Sequence, residues 1–254
     1  MLKFSDANAK TKSLRELPEL QKYLANRRKV YSLDLPAGWS CPGACDCLAR
    51  VHIVNGKRKL IDGPKTKFRC FSASQEVQYT NTHNLRQHNF NLIRKCRGYK
   101  SILNLLLQSL PKNLGVLRWH VSGDFFKLAY LQAAIELARI YPDRLFYAYT
   151  KSLPFLNEFK MLHPASGVLL PNFLMTGSRG GKYDDLLESI GIRTAKVVFD
   201  ENTDLPIDHD DSHAATVGGD FALLVHNTQP PGSDAGKAVQ ALNGKGSYKR
   251  AVNV

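Results

Sequence analysis

Apolar and polar positions divide the chain near residue 110. Beyond it, short apolar runs rich in β-branched and aromatic residues recur at 116–120, 145–150, 172–176, 194–200 and 221–226, their centres 22–29 residues apart. Segments between them show helical spacing, most clearly 125–141 (FFKLAYLQAAIELARIY), with shorter candidates at 153–163, 183–190 and 233–242. Such strand–helix alternation predicts βα units and a mostly parallel sheet. The run 29–35 (KVYSLDL) adds a strand before Pro36-Ala37-Gly38, so an α/β fold is expected, a partial (β/α) barrel of about six strands.

Before residue 110 the pattern is different. Residues 14–30 read as a short basic helix, and 81–110 as two helical pieces broken near Gly98 and closed by Pro111. Residues 50–54 and 57–61 flank Asn55-Gly56, a strong two-residue hairpin signal, and Asp62-Gly63-Pro64 ends the second strand. The chain reads as one domain, 1–254, with a cysteine-containing N-terminal part at 1–110 and a βα-repeat part at 111–254.

Charge sharpens this division. The net charge is +13, yet residues 1–100 hold 20 basic and 7 acidic side chains while the remainder holds 15 of each. An anionic partner is expected for residues 1–100, nucleic acid above all, with a solvated lysine-rich surface as the plain alternative. No apolar run is long enough to cross a bilayer, and the first residues lack the apolar stretch of a secretion signal, so no membrane partner and a cytoplasmic setting are expected.

All five cysteines, Cys41, Cys45, Cys47, Cys70 and Cys96, also fall in the first hundred residues. In a reducing compartment, three thiols within seven residues suit metal binding or redox chemistry better than disulfides. Cys41-Pro42-Gly43-Ala44-Cys45-Asp46-Cys47 lacks the paired spacing of zinc sites, whereas irregular loop thiolates suit an iron–sulfur cluster, expected to be 4Fe-4S. A hairpin folds its ends together, so the 22 residues between Cys47 and Cys70 need not separate the two sulfurs in space. His52 and His83 are substitute ligands at most, and Cys96 reads as a packed helical thiol. Cys45 is the expected fourth ligand, because it already lies in the loop two residues from Cys47; that closes the site.

Ligands of parallel α/β sheets bind at the carboxyl ends of the strands. Those positions carry Ser122-Gly123-Asp124, Thr150-Lys151-Ser152, Thr176-Gly177-Ser178-Arg179, Asp200-Glu201 and His226-Asn227. Capping and turn chemistry explain about half of them, but not Lys151, Arg179 or His226. The loop Asp208-His209-Asp210-Asp211-Ser212-His213 reads as a solvated turn. The stretch 229–237 has a phosphate-loop flavour but lacks the G-x₄-G-K-[ST] spacing.

The segments Leu35-Pro36-Ala37-Gly38, Cys41-Pro42-Gly43-Ala44, Cys47-Leu48, Asp62-Gly63-Pro64 and Phe68-Arg69-Cys70-Phe71-Ser72-Ala73-Ser74 resemble the phage "gene product eighty-eight" domain family. The match continues through His120-Val121-Ser122-Gly123-Asp124-Phe125, Tyr147-Ala148-Tyr149-Thr150-Lys151-Ser152 and Lys196-Val197-Val198-Phe199. It implies a viral origin, a setting in the host cytoplasm and an iron–sulfur site on Cys41, Cys47 and Cys70, but no reaction. A weaker resemblance is to radical S-adenosylmethionine enzymes, whose βα barrel carries three cysteines after its first strand and a Gly-Gly-Glu-like segment after its second. That resemblance implies S-adenosylmethionine on an open cluster iron, contacted by Ser122, Asp124 and Lys151, although the loop here is C-x₃-C-x-C rather than C-x₃-C-x₂-C. Three functions follow: a redox or regulatory cluster protein acting near nucleic acid, which is preferred; a radical enzyme; and a zinc-containing nucleic-acid-binding module.

Overall fold

The computed structural model describes residues 1–8, 10–162 and 170–242. Its centre is a sheet of seven strands: β1 (Ser5–Asp6), β2 (Lys29–Leu33), β5 (Leu114–Trp119), β6 (Leu145–Thr150), β7 (Phe173–Ser178), β8 (Thr194–Val198) and β9 (Phe221–Leu224). From β2 to β9 every neighbouring pair is parallel and spatial order follows chain order. These are the six expected strands. The seventh, β1, is an antiparallel edge of two residues, too short to leave a periodic signature. Among the described residues β1 and β9 stand at the two ends of this order.

Strands β3 (Ala49–Val54) and β4 (Lys57–Asp62) form the expected hairpin. Asn55 and Gly56 both take positive φ, 52° and 71°, which the primed two-residue turn demands. Helix α2 (Phe71–Gln78) follows the hairpin and was not anticipated, because FSASQEVQ has little apolar periodicity. Helices α3 (Thr80–Lys95) and α4 (Tyr99–Ser109) are the two pieces expected at 81–110. Helices α5 (Leu128–Ile140), α6 (Leu153–Leu162), α7 (Leu186–Ile190) and α9 (Asp234–Ala241) fill the later segments, and Ser233 caps α9 by accepting from Gly236 N at 3.0 Å. Residue 163, at the end of the expected 153–163 helix, lies outside the described residues.

The continuous helix expected at 14–30 is corrected. Pro18 forces Leu17 into an extended conformation, φ −72° and ψ 124°, and the segment breaks into 3₁₀ turns at Ser13–Glu16 and Pro18–Leu20 and a single turn α1 (Gln21–Leu24).

Side chains alternate between the two faces of the central strands, and both faces are covered. Leu117, Trp119, Phe146 and Ala148 join one core with Ile93, Ile102, Leu106, Leu131, Leu156 and Leu187 of α3–α7. Val30, Val116, Leu145, Tyr147 and Phe221 face the other way, against Leu14 and Leu20 of the N-terminal segment and against α8 (Ser212–Ala215). One cavity, about 190 Å³ in volume, lies at the carboxyl ends of the strands and takes lining residues from the loop after β2 through to β9. It is larger than the roughly 150 Å³ void that holds a benzene molecule.

Among the described residues no helix is long and apolar enough to cross a membrane.

Candidate metal centre and its cavity

Strand β2 delivers the chain to the cavity, and Pro36 and Gly38 turn it sharply into the cysteine loop. The loop is anchored to the turn after β7: Asp46 N donates to Gly180 O at 2.9 Å, Lys182 N to Gly43 O at 2.9 Å, and Ala44 bridges Gly181. Gly43 sits so close to β6 that a Cβ there would stand 1.9 Å from the Lys151 carbonyl oxygen. Cys70 arrives separately, as the residue preceding α2, so that the N–H groups of Ser72 and Ala73 favour its thiolate.

Cys41, Cys47 and Cys70 all line the cavity. Each is partly open to that space yet surrounded by protein, and burial pushes all three thiols up, Cys47 to about 11. Ionising any one of them makes it harder to ionise the others, which marks them as electrostatic neighbours. Thiolates in such a place form only as a cation replaces their protons.

A single zinc ion needs its sulfur ligands about 3.8 Å apart, at Zn–S distances near 2.3 Å. Among the described residues no three His, Cys, Asp or Glu side chains are grouped tightly enough to hold one ion. The three cysteines instead share the wall of one cavity.

Cys45, the expected fourth ligand, does not line the cavity. Residues 45–48 close a turn, with Leu48 N donating to Cys45 O at 3.1 Å. The Cys45 thiol lies near Lys67 instead. Cys96 packs at the end of α3, its thiol donating to Leu92 O at 3.5 Å, away from the cavity.

Ser122, Asp124 and Lys151 all reach the cavity wall. Asp124 is buried and accepts from Phe125 N, Thr150 Oγ1 and Lys151 N at 2.7–2.8 Å, which knits β5 to β6; burial raises its carboxyl despite these bonds. The Lys151 ammonium is committed to Ser178 O, Ser178 Oγ and Arg179 O at 2.9, 2.7 and 2.5 Å. It spans β6 and β7, and its positive charge favours the Cys47 thiolate. Gly123 takes φ 97°, and a Cβ there would stand 2.6 Å from Leu35 Cβ and Ser40 Oγ, so only glycine lets this turn close on the cysteine loop. Of the other strand-end residues, His226 lines the cavity, while Arg179 donates to Thr194 Oγ1 at 3.0 Å and Asp200 accepts from Asn202 N at 2.9 Å.

Glu76 escaped the sequence reading because α2 itself did. It is fully buried and accepts from Ala37 N at 2.8 Å, Arg86 Nη1 at 3.0 Å and Ser122 Oγ at 3.3 Å. One carboxylate thereby ties the entry to the cysteine loop, α3 and the turn after β5 into a single frame.

The loop expected to be a solvated turn is corrected as well. Asp208 and Asp211 are fully buried beneath the cavity. Asp211 bonds Arg118 Nη1 and Lys10 Nζ, the latter at 2.9 Å, and accepts from Tyr147 OH at 3.1 Å. Burial alone would raise its carboxyl, but Arg118 and then Lys10 outweigh that and hold it low. Sequence gave the solvated reading because acidic loops usually are solvated; the signal for burial was Arg118, a charge inside the apolar run 116–120.

His120, between β5 and Ser122, takes φ 64°, a left-handed conformation costly for most residues other than glycine. It is held by Tyr130 OH at 2.9 Å from Nε2 and by contacts with Phe125 and Trp119. Burial, then Arg118, lowers its imidazole from 6.5 to about 3, so the fold refuses a proton that the unfolded chain accepts. Stability is therefore expected to fall as pH drops below 6.5, with a slope from this residue of about 1.4 kcal/mol per pH unit. His120→Asn tolerates the backbone and removes the titration; urea titrations between pH 7 and 5 should show a shallower loss by that amount, and an unchanged slope would refute the assignment.

The arrangement defines an α/β protein with a cysteine-lined cavity at the carboxyl ends of six sequential parallel strands. A family model described as Gene product 88 matches residues 2–242, and the chain belongs to that phage protein family. No curated protein and no solved structure matches it.

Proposed function

We propose that Cys41, Cys47 and Cys70 hold a 4Fe-4S cluster, leaving one iron without a thiolate from this chain, and that the protein is a phage enzyme of the radical S-adenosylmethionine type. The observation that carries this reading is the composition of the cavity wall: three cysteines line it and Cys45 does not. An iron without a thiolate is where a small molecule can coordinate. Held by these three thiolates and reduced by an external one-electron donor, the group would supply the electron for reductive cleavage of the sulfonium of S-adenosylmethionine to methionine and a 5′-deoxyadenosyl radical.

The chain's own residues supply the frame. Asp124 ties the turn after β5 to that after β6, Lys151 ties the latter to the turn after β7 on which the cysteine loop is anchored, and the N–H groups of Ser72 and Ala73 favour the Cys70 thiolate. Ser122, its hydroxyl bonded to Glu76, stands at the wall, and the apolar side chains of Val197, Leu223 and Val225 line the part contributed by the last strands. The chain order of the parallel strands, with the cysteine loop after the first and Ser122-Gly123-Asp124 after the second, further supports the assignment.

The test is anaerobic reconstitution with iron and sulfide, reduction, and addition of S-adenosylmethionine. A change in the electron paramagnetic resonance signal together with 5′-deoxyadenosine among the products is the expected result. A cluster whose signal ignores the compound would overturn the enzyme and leave a redox or regulatory cluster protein; bound zinc in protein purified anaerobically, with no iron, would overturn the cluster.

A further inference from the structure

The β3–β4 hairpin projects from the cavity mouth, since Cys47 and Gly38 line the cavity and Ala49 begins β3. Its two faces differ in kind. Ala49, with Leu60 beside it, packs against Ala37 and Ala73, so this face is turned inward. The alternate positions, paired Arg50 with Ile61, His52 with Lys59 and Val54 with Lys57, share the outer face. No carboxylate stands among these six residues; the nearest, Asp62, belongs to the inner set and is engaged by Arg69. Trp39 lies on the outer face, its ring 5.0 Å from that of His52, with the Arg50 guanidinium 5.0 Å above it. The indole is held by donating to Val51 O at 2.9 Å, yet the residue is 44% exposed.

An exposed aromatic ring fixed in orientation, with a line of cations leading from it, matches the chemistry of an unpaired nucleotide strand: bases stack on the ring and phosphates meet the cations. We infer that the outer face of the hairpin, through Trp39, Arg50, Lys57 and Lys59, docks single-stranded nucleic acid and leads it to the cavity mouth. This names the substrate class of the site proposed above and rests on that reading for the chemistry, though not for the binding. The concentration of the whole net charge in residues 1–100 supports a polyanionic partner.

Fluorescence anisotropy with labelled DNA and RNA strands of about 12 nucleotides tests it on the protein as purified, whatever its iron content. Affinity should fall roughly tenfold in Trp39→Ala. In Lys57→Gln/Lys59→Gln the slope of log affinity against log salt should shrink by about 1.4. The chain has two tryptophans, and Trp119 is buried, so quenching on strand addition reports on Trp39 and should vanish in Trp39→Phe. The DNA and RNA arms distinguish the two sources of strand. Binding that survives these substitutions, equal binding to a duplex without quenching, or equal binding to polyglutamate would overturn the inference. Because binding is read at the hairpin and cleavage of S-adenosylmethionine in the cavity, either can fail while the other holds.

Discussion

Serine in place of Cys41, Cys47 or Cys70 is expected to cost the anaerobically purified protein most of its iron and of its absorption near 400 nm. The same exchange at Cys45 or Cys96 should leave both nearly intact. The reason is placement. The first three thiols share a cavity where burial makes an unbound thiolate expensive, so each would contribute strongly to holding the proposed cluster. Cys45 stands beyond a turn near Lys67, and Cys96 is packed against the helix core. Iron and sulfide assays on the five single variants decide the matter. Loss of iron in Cys45→Ser equal to that in Cys70→Ser would establish a closed, four-thiolate site and remove the open iron on which the proposed chemistry depends.

The second large effect lies beneath the cavity, where Asp211 serves two cations. Replacing it by asparagine keeps the shape but leaves Arg118 and Lys10 buried without their shared counter-charge, at 6% and 8% exposure. Removing one member of such a buried group costs about 3–5 kcal/mol. In a chain of this size that lowers the melting temperature by roughly 10 °C. The paired change Arg118→Met with Asp211→Leu should be milder than Asp211→Asn, because no unpaired guanidinium remains, although Lys10 still loses its partner. Thermal unfolding followed by circular dichroism separates these cases; a loss under about 1 kcal/mol in Asp211→Asn would mean that water already screens the group.

Most of the strand framework was legible because strands buried on both faces are written as apolar runs, and 116–120 or 145–150 have no other reading at that length. The Asn55-Gly56 turn was equally plain, since few dipeptides accept two positive φ values. What escaped was set by tertiary contacts. Helix α2 has a polar surface and gains its place through Glu76 and Ala73, neither of which stands out in a sequence. Pro18 was present to read, but the basic, amphipathic look of 14–30 masked its effect on Leu17. At the site, the grouping of Cys70 with the loop cysteines followed from hairpin geometry, whereas the turn that carries Cys45 away depends on Gly180 O and Lys67 N, far along or outside the loop. The burial of Asp208 and Asp211 was invisible for a similar reason: their partners, Lys10, Arg118 and Tyr147, come from three distant segments.

Arg69 and Gln229 exchange hydrogen bonds in both directions, Arg69 N to Gln229 Oε1 at 2.7 Å and Gln229 Nε2 to Arg69 O at 3.1 Å, across 160 residues. Neighbouring Phe71 stacks on His226 at 4.9 Å. The wall that holds Cys70 is thus finished by the loop after the final strand. A ribosome adding about 5–20 residues per second reaches that loop on the order of ten seconds after Cys70 is made. During this interval Cys41, Cys47 and Cys70 belong to an unfinished compartment, whose wall closes only once β9 and the loop after it have been made.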